Sequence, residues 1–97
     1  MQLNVIYPVK RRSDISSLEV EKGIFITDMK AGAYFRLNST GKRVWELIDG
    51  RKSAEEIVRL VTNEFAVEEE TTRKEVGEFL ENMKENKLVD FVDAPLK

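Results

Sequence analysis

Glutamate side chains are the residues of this sequence that first suggest a reaction, because they are adjacent at residues 55–56 and 68–70. Paired carboxylates can act as general acid and base, but these lie on predicted polar helix faces, where solvated charge is ordinary. The sequence has no His and no Cys, which excludes the commonest general base, a thiol nucleophile and most zinc sites. It contains no Walker loop and no Gly-x-Gly-x-x-Gly motif. We therefore predict that the protein is not an enzyme and uses no catalytic residue, metal or cofactor.

The backbone of residues 33–37 offers a different chemistry, since a strand at the edge of a sheet has unpaired amides and carbonyls. This stretch, Ala-Tyr-Phe-Arg-Leu, is rich in aromatic and apolar residues, as a half-buried strand should be. Gly32 before it supplies a turn, and Asn38 or Ser39 after it can cap a helix. A peptide can add to such an edge as a further strand. The stretch is therefore the centre of the predicted site.

Two further strands are predicted before this stretch, at residues 15–20 and 24–28, with turns at residues 21–23 and 29–32. If Asp28 lies opposite Ala33, the alternation of side chains assigns the remaining residues to two faces. The apolar face then holds Ile24, Ile26, Phe35 and Leu37. The mixed face holds Phe25, Thr27, Tyr34 and Arg36. The third strand of this meander lies at the edge of the sheet, and a slip of one residue would exchange the faces.

Three helices are predicted after the sheet. The first spans residues 38–48, and the second begins with a capping box of Ser53 and Glu56. The third, from about residue 71 to 86, has an apolar stripe at helical spacing that consists of Val76, Phe79, Leu80 and Met83. Residues 3–9 are predicted as an extended arm or edge strand, and residues 88–91 as a short returning strand. The predicted fold is α+β and winged-helix-like, with a three-stranded antiparallel sheet followed by three helices.

The composition is that of one globular domain comprising residues 1–97. Hydrophobic residues make up 41% of the chain and charged residues 35%, with a net charge of −2. This composition excludes a disordered chain and gives no indication of a nucleic-acid or anionic-membrane partner. No apolar run reaches the roughly 18–20 residues of a membrane span, and the N-terminus lacks the features of a secretory signal. We therefore expect a cytoplasmic protein without a membrane partner.

A peptide added beside residues 33–37 would direct alternate side chains between the sheet and the flank of the third helix. The predicted peptide-binding site consists of Ala33, Tyr34, Phe35, Arg36, Leu37, Val76, Phe79, Leu80 and Met83. The apolar members can also be plain core residues, which is the more ordinary interpretation for Leu37 and Leu80. A homodimer formed by edge pairing would use the same strand and is a further alternative.

A winged-helix topology also suggests DNA binding, which needs an excess of Lys and Arg on the recognition helix. The predicted third helix instead carries three basic residues against four acidic ones. The predicted second helix is acidic as well. These charges disfavour nucleic acid as a partner.

The order of these motifs resembles the PqqD-like family, the peptide-recognition domains of ribosomally made and modified peptides. The resemblance extends from about residue 24 to 89. The matching residues are Asp28, residues 32–38, Gly41, Trp45, Asp49, Gly50, Ser53, residues 55–58, Phe65, Val67, Val76, Phe79, Leu80, Leu88 and Val89. The Asp-x-x-x-Gly-x-Tyr run is most similar to the stand-alone recognition proteins of lasso-peptide pathways. One departure is Asn86 and Lys87, where the family usually has a Gly, and it concerns the helix end rather than the groove.

The resemblance implies a non-enzymatic, chaperone-like protein that holds the leader of a precursor peptide as an added strand against the third strand and third helix. It implies delivery of the precursor to a maturation enzyme, which in lasso pathways is a cysteine peptidase that removes the leader, followed by a cyclase. It also implies that a Tyr and a Pro of the leader occupy the apolar pocket. A PqqD-type chaperone of another modified-peptide pathway is the alternative.

Overall fold

The computed structural model describes residues 3–10 and 15–96 of the chain. In these ranges a short 3-10 helix, Leu3–Val5, precedes strands and helices. The strands are β1 (Tyr7–Lys10), β2 (Ile15–Val20), β3 (Gly23–Asp28), β4 (Ala33–Asn38) and β5 (Val89–Val92), and the helices are α1 (Ser39–Leu47), α2 (Ala54–Phe65) and α3 (Glu69–Glu85). The predicted α+β fold is confirmed, because a three-stranded antiparallel sheet precedes three helices. None of the described helices is both long enough and apolar enough to cross a membrane.

The three-stranded sheet has the order β2–β3–β4, and the register between β3 and β4 is the predicted one. Asp28 lies opposite Ala33, and Ile26 lies opposite Phe35. Ile26 is completely buried against the helices, whereas Tyr34 on the opposite face is 74% exposed. A slip of one residue would move Ile26 into water, so the apolar pattern is sufficient to specify this register.

Side-chain caps determine where the first two helices begin. The amide of Gly41 donates to the Asn38 side chain at 2.9 Å, which makes Asn38 the N-cap of α1. The predicted capping box of α2 is confirmed, since the Glu56 amide donates to Ser53 Oγ and the Ser53 amide donates to a Glu56 carboxylate oxygen, both at 3.1 Å. These bonds satisfy amides that a first helical turn leaves unpaired. The start of α1 is thereby fixed directly at the end of β4.

The third helix begins earlier than predicted, at Glu69 rather than at about residue 71. Glu68 has the extended backbone of an N-cap residue, and its carbonyl accepts a hydrogen bond of 2.9 Å from the Thr72 hydroxyl. Glu69 and Glu70 then occupy the first turn, where negative charge interacts favourably with the helix dipole. No Ser, Thr, Asn or Asp directly precedes this turn, so the sequence carries no capping signal at the true start.

The two ends of the chain form a second sheet. β1 pairs antiparallel with β5, and Pro8 lies opposite Phe91. The amide of Gly50 donates to the Pro8 carbonyl at 3.1 Å, and the amide of Ala54 donates to the Ile6 carbonyl at 2.8 Å. The extended conformation predicted for both segments is confirmed for β1 and β5, but it is wrong for Leu3–Val5, which forms a 3-10 helix, and the pairing of β1 with β5 was not predicted. The described part of the N-terminal arm is therefore held against β5 and does not pair with β4.

One hydrophobic core lies between the three-stranded sheet and the helices. Its fully buried members include Ile26, Ile57, Val61, Leu80 and Leu88. Burial of each such side chain stabilises the folded state by roughly 1.5–3 kcal/mol. Two bidentate ion pairs join the helices at the rim of this core. Arg73 on α3 binds Glu55 on α2 at 2.7–2.9 Å, and Arg43 on α1 binds Glu64 on α2 at 2.7 and 2.8 Å. Packing and ion pairs together fix α3 relative to α2 and α1.

Candidate functional site

β4 is an edge strand, because it pairs with β3 on one side and no described strand lies on the other. A Cβ placed on Gly23 would overlap the carbonyl oxygen of Leu37, so this carbonyl points toward β3. Backbone groups alternate in direction along an antiparallel strand, and Phe35 therefore also directs its amide and carbonyl to β3. Tyr34 and Arg36 direct theirs outward. The free edge thus presents the backbone groups of Tyr34 and Arg36 to an incoming strand.

The side chains on the outer face of the sheet leave this edge uncovered. Arg36 is the charged residue of β4, and its guanidinium donates to the Glu21 carbonyl at 3.2 Å. The same guanidinium lies 5.9 Å from the centre of the Phe25 ring, and the Phe25 and Tyr34 rings are 6.3 Å apart. Arg36 is therefore held back over β3. A charge that would otherwise discourage strand pairing is directed away from the free edge.

A cleft of about 250 Å³ lies where β4 ends, and we call it the strand-end cleft. Its lining residues are Asn38, Thr40, Gly41, Val44, Glu75, Val76 and Phe79. The first four come from the end of β4 and the first turns of α1, and the others come from the middle of α3. Val44, Val76 and Phe79 give the cleft apolar walls. Asn38, Thr40 and Glu75 add polar groups, so the cleft suits an apolar side chain with a polar neighbour.

Gly41 leaves the base of the strand-end cleft open because it has no side chain. A Cβ at this position would lie 3.2 Å from Leu37 Cβ and 3.5 Å from the Phe79 ring. The first distance is shorter than an ordinary van der Waals contact, so a larger residue would push α1 away from β4 or fill the cleft. Glycine thus allows β4, α1 and α3 to meet closely at this point.

The structure places the predicted site residues in three different environments. Val76 and Phe79 line the strand-end cleft. Leu37, Leu80 and Met83 belong to the hydrophobic core and are 9%, 0% and 3% exposed. The remaining residues, Ala33, Tyr34, Phe35 and Arg36, form the edge strand itself. The strand-end cleft thus brings the end of β4 together with Val76 and Phe79 of the α3 stripe, and contact with a peptide stays a prediction for each residue.

Five lining residues of the strand-end cleft were missed at the sequence level. They are Asn38, Thr40, Gly41, Val44 and Glu75. Part of the signal was present, because Gly41 and Val44 are one helical turn apart, as are Glu75 and Phe79. What the sequence does not state is that the first turn of α1 faces the middle of α3.

A second cleft, of about 230 Å³, lies between the end of α2 and the start of α3, and we call it the helix-end cleft. It is lined by Thr40, Val61, Phe65, Val67, Glu68, Thr71, Thr72 and Glu75. Phe65 and Val67 are 39% and 48% exposed. Thr40 and Glu75 line both clefts, so the two are parts of one groove. No group of three or more acidic side chains among the described residues is arranged to hold a metal ion.

Solved structures resemble this chain over most of its length. The structure of TbiB1 in complex with the TbiA(beta) leader peptide is 26% identical, with a TM-score of 0.73, and the match covers 84% of this chain and 95% of that one. A lasso peptide synthetase B1 complexed with the leader peptide is 21% identical, also with a TM-score of 0.73, and the match covers 87% and 98% of the two chains. At that lower identity, the second structure bears on the fold alone. A comparison with curated protein sequences gave no match.

A family model identifies the chain more directly. The model described as coenzyme PQQ synthesis protein D (PqqD) matches residues 18–89. That span runs from β2 to the first residue of β5 and includes the free edge of β4 and both clefts. The prediction of a PqqD-like recognition element is thereby confirmed, and the chain belongs to the PqqD family.

Proposed function

We propose that this chain binds the leader segment of a ribosomally made precursor peptide as an added strand on β4 and delivers it, without catalysis, to a maturation enzyme. The observation that carries the proposal is the unpaired edge of β4 beside the strand-end cleft. Backbone groups at the edge supply hydrogen bonds that do not depend on the peptide's sequence. The cleft supplies the part of recognition that depends on the peptide's sequence.

The strand contributes affinity through a small number of backbone hydrogen bonds. The outward amides and carbonyls of Tyr34 and Arg36 can pair with an extended peptide, and each bond contributes about 0.5–1.5 kcal/mol net. Alternate side chains of the peptide then point toward the face that holds Phe35. Those side chains lie next to Phe79 and the strand-end cleft, where burial of one apolar group adds roughly 1.5–3 kcal/mol. The upper end of these contributions reaches the roughly 8 kcal/mol that a micromolar dissociation constant requires, and we expect binding in the micromolar range or tighter.

We propose that the chain delivers the precursor to its enzyme by tethering. A captured leader holds the precursor core close to the maturation enzyme, which raises its effective concentration there. The leader peptidase of a lasso-peptide pathway is the proposed enzyme. Support comes from membership of the PqqD family and from similarity to TbiB1, whose structure holds a leader peptide. The alternative pathway, a PqqD-type chaperone for another modified peptide, would use the same edge and cleft.

DNA binding is the competing function for a winged-helix-like fold, and the charge of α3 weighs against it. Between Glu69 and Glu85 this helix carries six acidic and three basic residues. A recognition helix for a polyanion needs the opposite balance. A gel-shift assay with mixed DNA is expected to give no complex at physiological salt.

The strand-addition geometry can be tested on the peptide, which leaves the protein's own fold unchanged. Random 16-residue peptides displayed on phage are selected on the folded protein, and the best binder is synthesised for titration calorimetry. Single N-methylation is then moved along its strand segment. Methylation should abolish binding at every second residue, because only alternate peptide amides face β4. Failure to select any micromolar peptide would overturn the proposed function, and equal tolerance of methylation at all positions would overturn strand addition.

A homodimer would compete for the same edge. Two copies of β4 can pair antiparallel, which would satisfy the outward groups of Tyr34 and Arg36 in the absence of peptide. Sedimentation velocity of the free protein distinguishes this arrangement from a monomer. A dimer that dissociates when the selected peptide is added would show that both partners use one edge.

A further inference from the structure

We propose that the helix-end cleft is a second peptide subsite, which accepts an apolar side chain flanked by Lys or Arg from the same peptide that adds to β4. This inference rests on the proposed function, because it assigns a further segment of the bound peptide. It would lengthen the recognised sequence beyond the part that pairs with the strand.

Continuity with the strand-end cleft identifies the occupant as the same peptide. Thr40 and Glu75 line both clefts, so a chain leaving the end of β4 needs only to pass these two side chains to reach the helix-end cleft. Val67 and Phe65, at the far end of the groove, are among the large exposed apolar side chains of the described residues. Burial of these groups stabilises a complex only if the peptide continues past the strand-end cleft.

The charge around the helix-end cleft determines the chemistry of that segment. Glu68 and Glu75 line it, and neither forms an ion pair with any described residue. Glu70 follows in the first turn of α3, next to Glu69, whose carboxylate lies 3.6 Å from the Arg73 guanidinium. The nearby Arg43 is already bound by Glu64. An apolar residue next to a cation therefore complements this surface, whereas an acidic neighbour would be repelled.

The spacing along α3 predicts where the second anchor lies in the peptide. The α3 residues that line the two clefts are centred about four residues apart, or roughly 6 Å at the rise of an α-helix. An extended peptide advances about 3.3 Å per residue, so the second anchor lies about two residues from the residue that occupies the strand-end cleft. Because the groove continues from the end of β4, the second anchor is N-terminal to the strand segment if the peptide is antiparallel, and C-terminal if it is parallel.

The test compares matched substitutions at two equally exposed valines. Val67 and Val5 are both 48% exposed, but Val5 lies in the N-terminal 3-10 helix, which adjoins the start of α2 rather than its end. The 16-residue phage library is selected separately on the wild type, Val67→Lys and Val5→Lys, after circular dichroism confirms that each is folded. The Val5 variant adds the same charge, so it controls for net charge.

Peptides selected on the wild type and on Val5→Lys should share an apolar residue beside Lys or Arg, about two residues from the residue that occupies the strand-end cleft. Peptides selected on Val67→Lys should lack this residue and retain the residues that pair with β4. The consensus peptide selected on the wild type should bind Val67→Lys about tenfold more weakly than it binds the wild type. Glu68→Gln, which keeps an acceptor for Thr71, should reduce binding of the basic peptide severalfold and leave a neutral analogue unchanged.

The outcomes separate this inference from the proposed function. If the wild type selects a strand motif but Val67→Lys binds the same peptides equally well, the second subsite is wrong and peptide binding stands. The cleft would then be left for a protein partner or a second copy. If no variant selects any peptide, the proposed function itself fails.

Discussion

Phe79 and Leu80 are neighbours on α3 that differ in burial, and alanine at each should affect different properties. Leu80 is 0% exposed, so Leu80→Ala removes a packed side chain and should lower the free energy of unfolding by about 2–5 kcal/mol. For a domain of this length, a loss of about 3 kcal/mol corresponds to a fall in Tm of roughly 12–24 °C. The strand-end cleft is not lined by Leu80, so peptide affinity of the folded variant should change little.

Phe79 is half-buried and lines the strand-end cleft. Phe79→Ala should lower stability less, by about 1–2 kcal/mol, because part of the ring is already in contact with water. It should weaken binding of the selected peptide about tenfold or more, since the anchor loses an aromatic wall.

Thermal unfolding followed by circular dichroism measures the first property of each variant, and titration calorimetry below both transitions measures the second. The expected pattern is a large fall in Tm for Leu80→Ala and a large fall in affinity for Phe79→Ala. Equal losses of affinity in two folded variants would refute the assignment of Phe79 to the binding surface and of Leu80 to the core. Unchanged binding by Phe79→Ala would refute the role of the strand-end cleft.

Two further predictions concern the connection between α1 and α2. A hydrogen bond from the Lys52 ammonium lowers the pKa of Asp49 to about 2 from 3.8, so its stabilising effect should be present above about pH 4 and be lost as the pH falls toward 2. Urea unfolding across this range should show a loss of less than about 1 kcal/mol, because the pair is exposed, and Asp49→Asn should remove that dependence. Gly50 has a φ of +77°, and a Cβ there would collide with Leu96; Gly50→Ala should therefore destabilise the protein by more than about 1 kcal/mol. Gly32→Ala, with a φ of +67° and open space around it, should cost less, and equal losses would contradict the steric explanation.

Local patterns were sufficient to predict the sheet that carries the site. Ile24 and Ile26 share one face with Phe35 and Leu37, whereas the other face is mixed, so the wholly apolar face is assigned to the core, and a short turn joins this strand to the next. Both constraints act within a few residues of each other, so one register satisfies them. The capping box of Ser53 and Glu56 is similarly local. Prediction succeeded where the determining contacts are close in sequence.

Long-range contacts explain what was missed. The pairing of Pro8 with Phe91 joins the two ends of the chain. Neither segment has a sequence pattern that identifies the strand with which it pairs. The strand-end cleft depends on how the first turn of α1 faces Glu75 and Val76. That orientation results from packing of the whole core and from the ion pair of Arg73 with Glu55. Periodicity identifies the buried face of each helix, but it does not specify which residues of another helix lie at the edge of that face.

The two free edges of the sheet differ in a way that favours β4 as the docking edge. β2 is the opposite edge strand, and residues 16–19 of it are all exposed. Glu19 lies on its inward face, opposite Ile24, and binds Lys42 at 3.1 Å; an inward charge of this kind discourages strand addition. On β4, by contrast, Arg36 is held back over β3 and α3 provides an apolar wall. Backbone groups are available at both edges, so in the proposed binding mode it is the adjoining helix, and not the free edge alone, that would make β4 the selective docking strand.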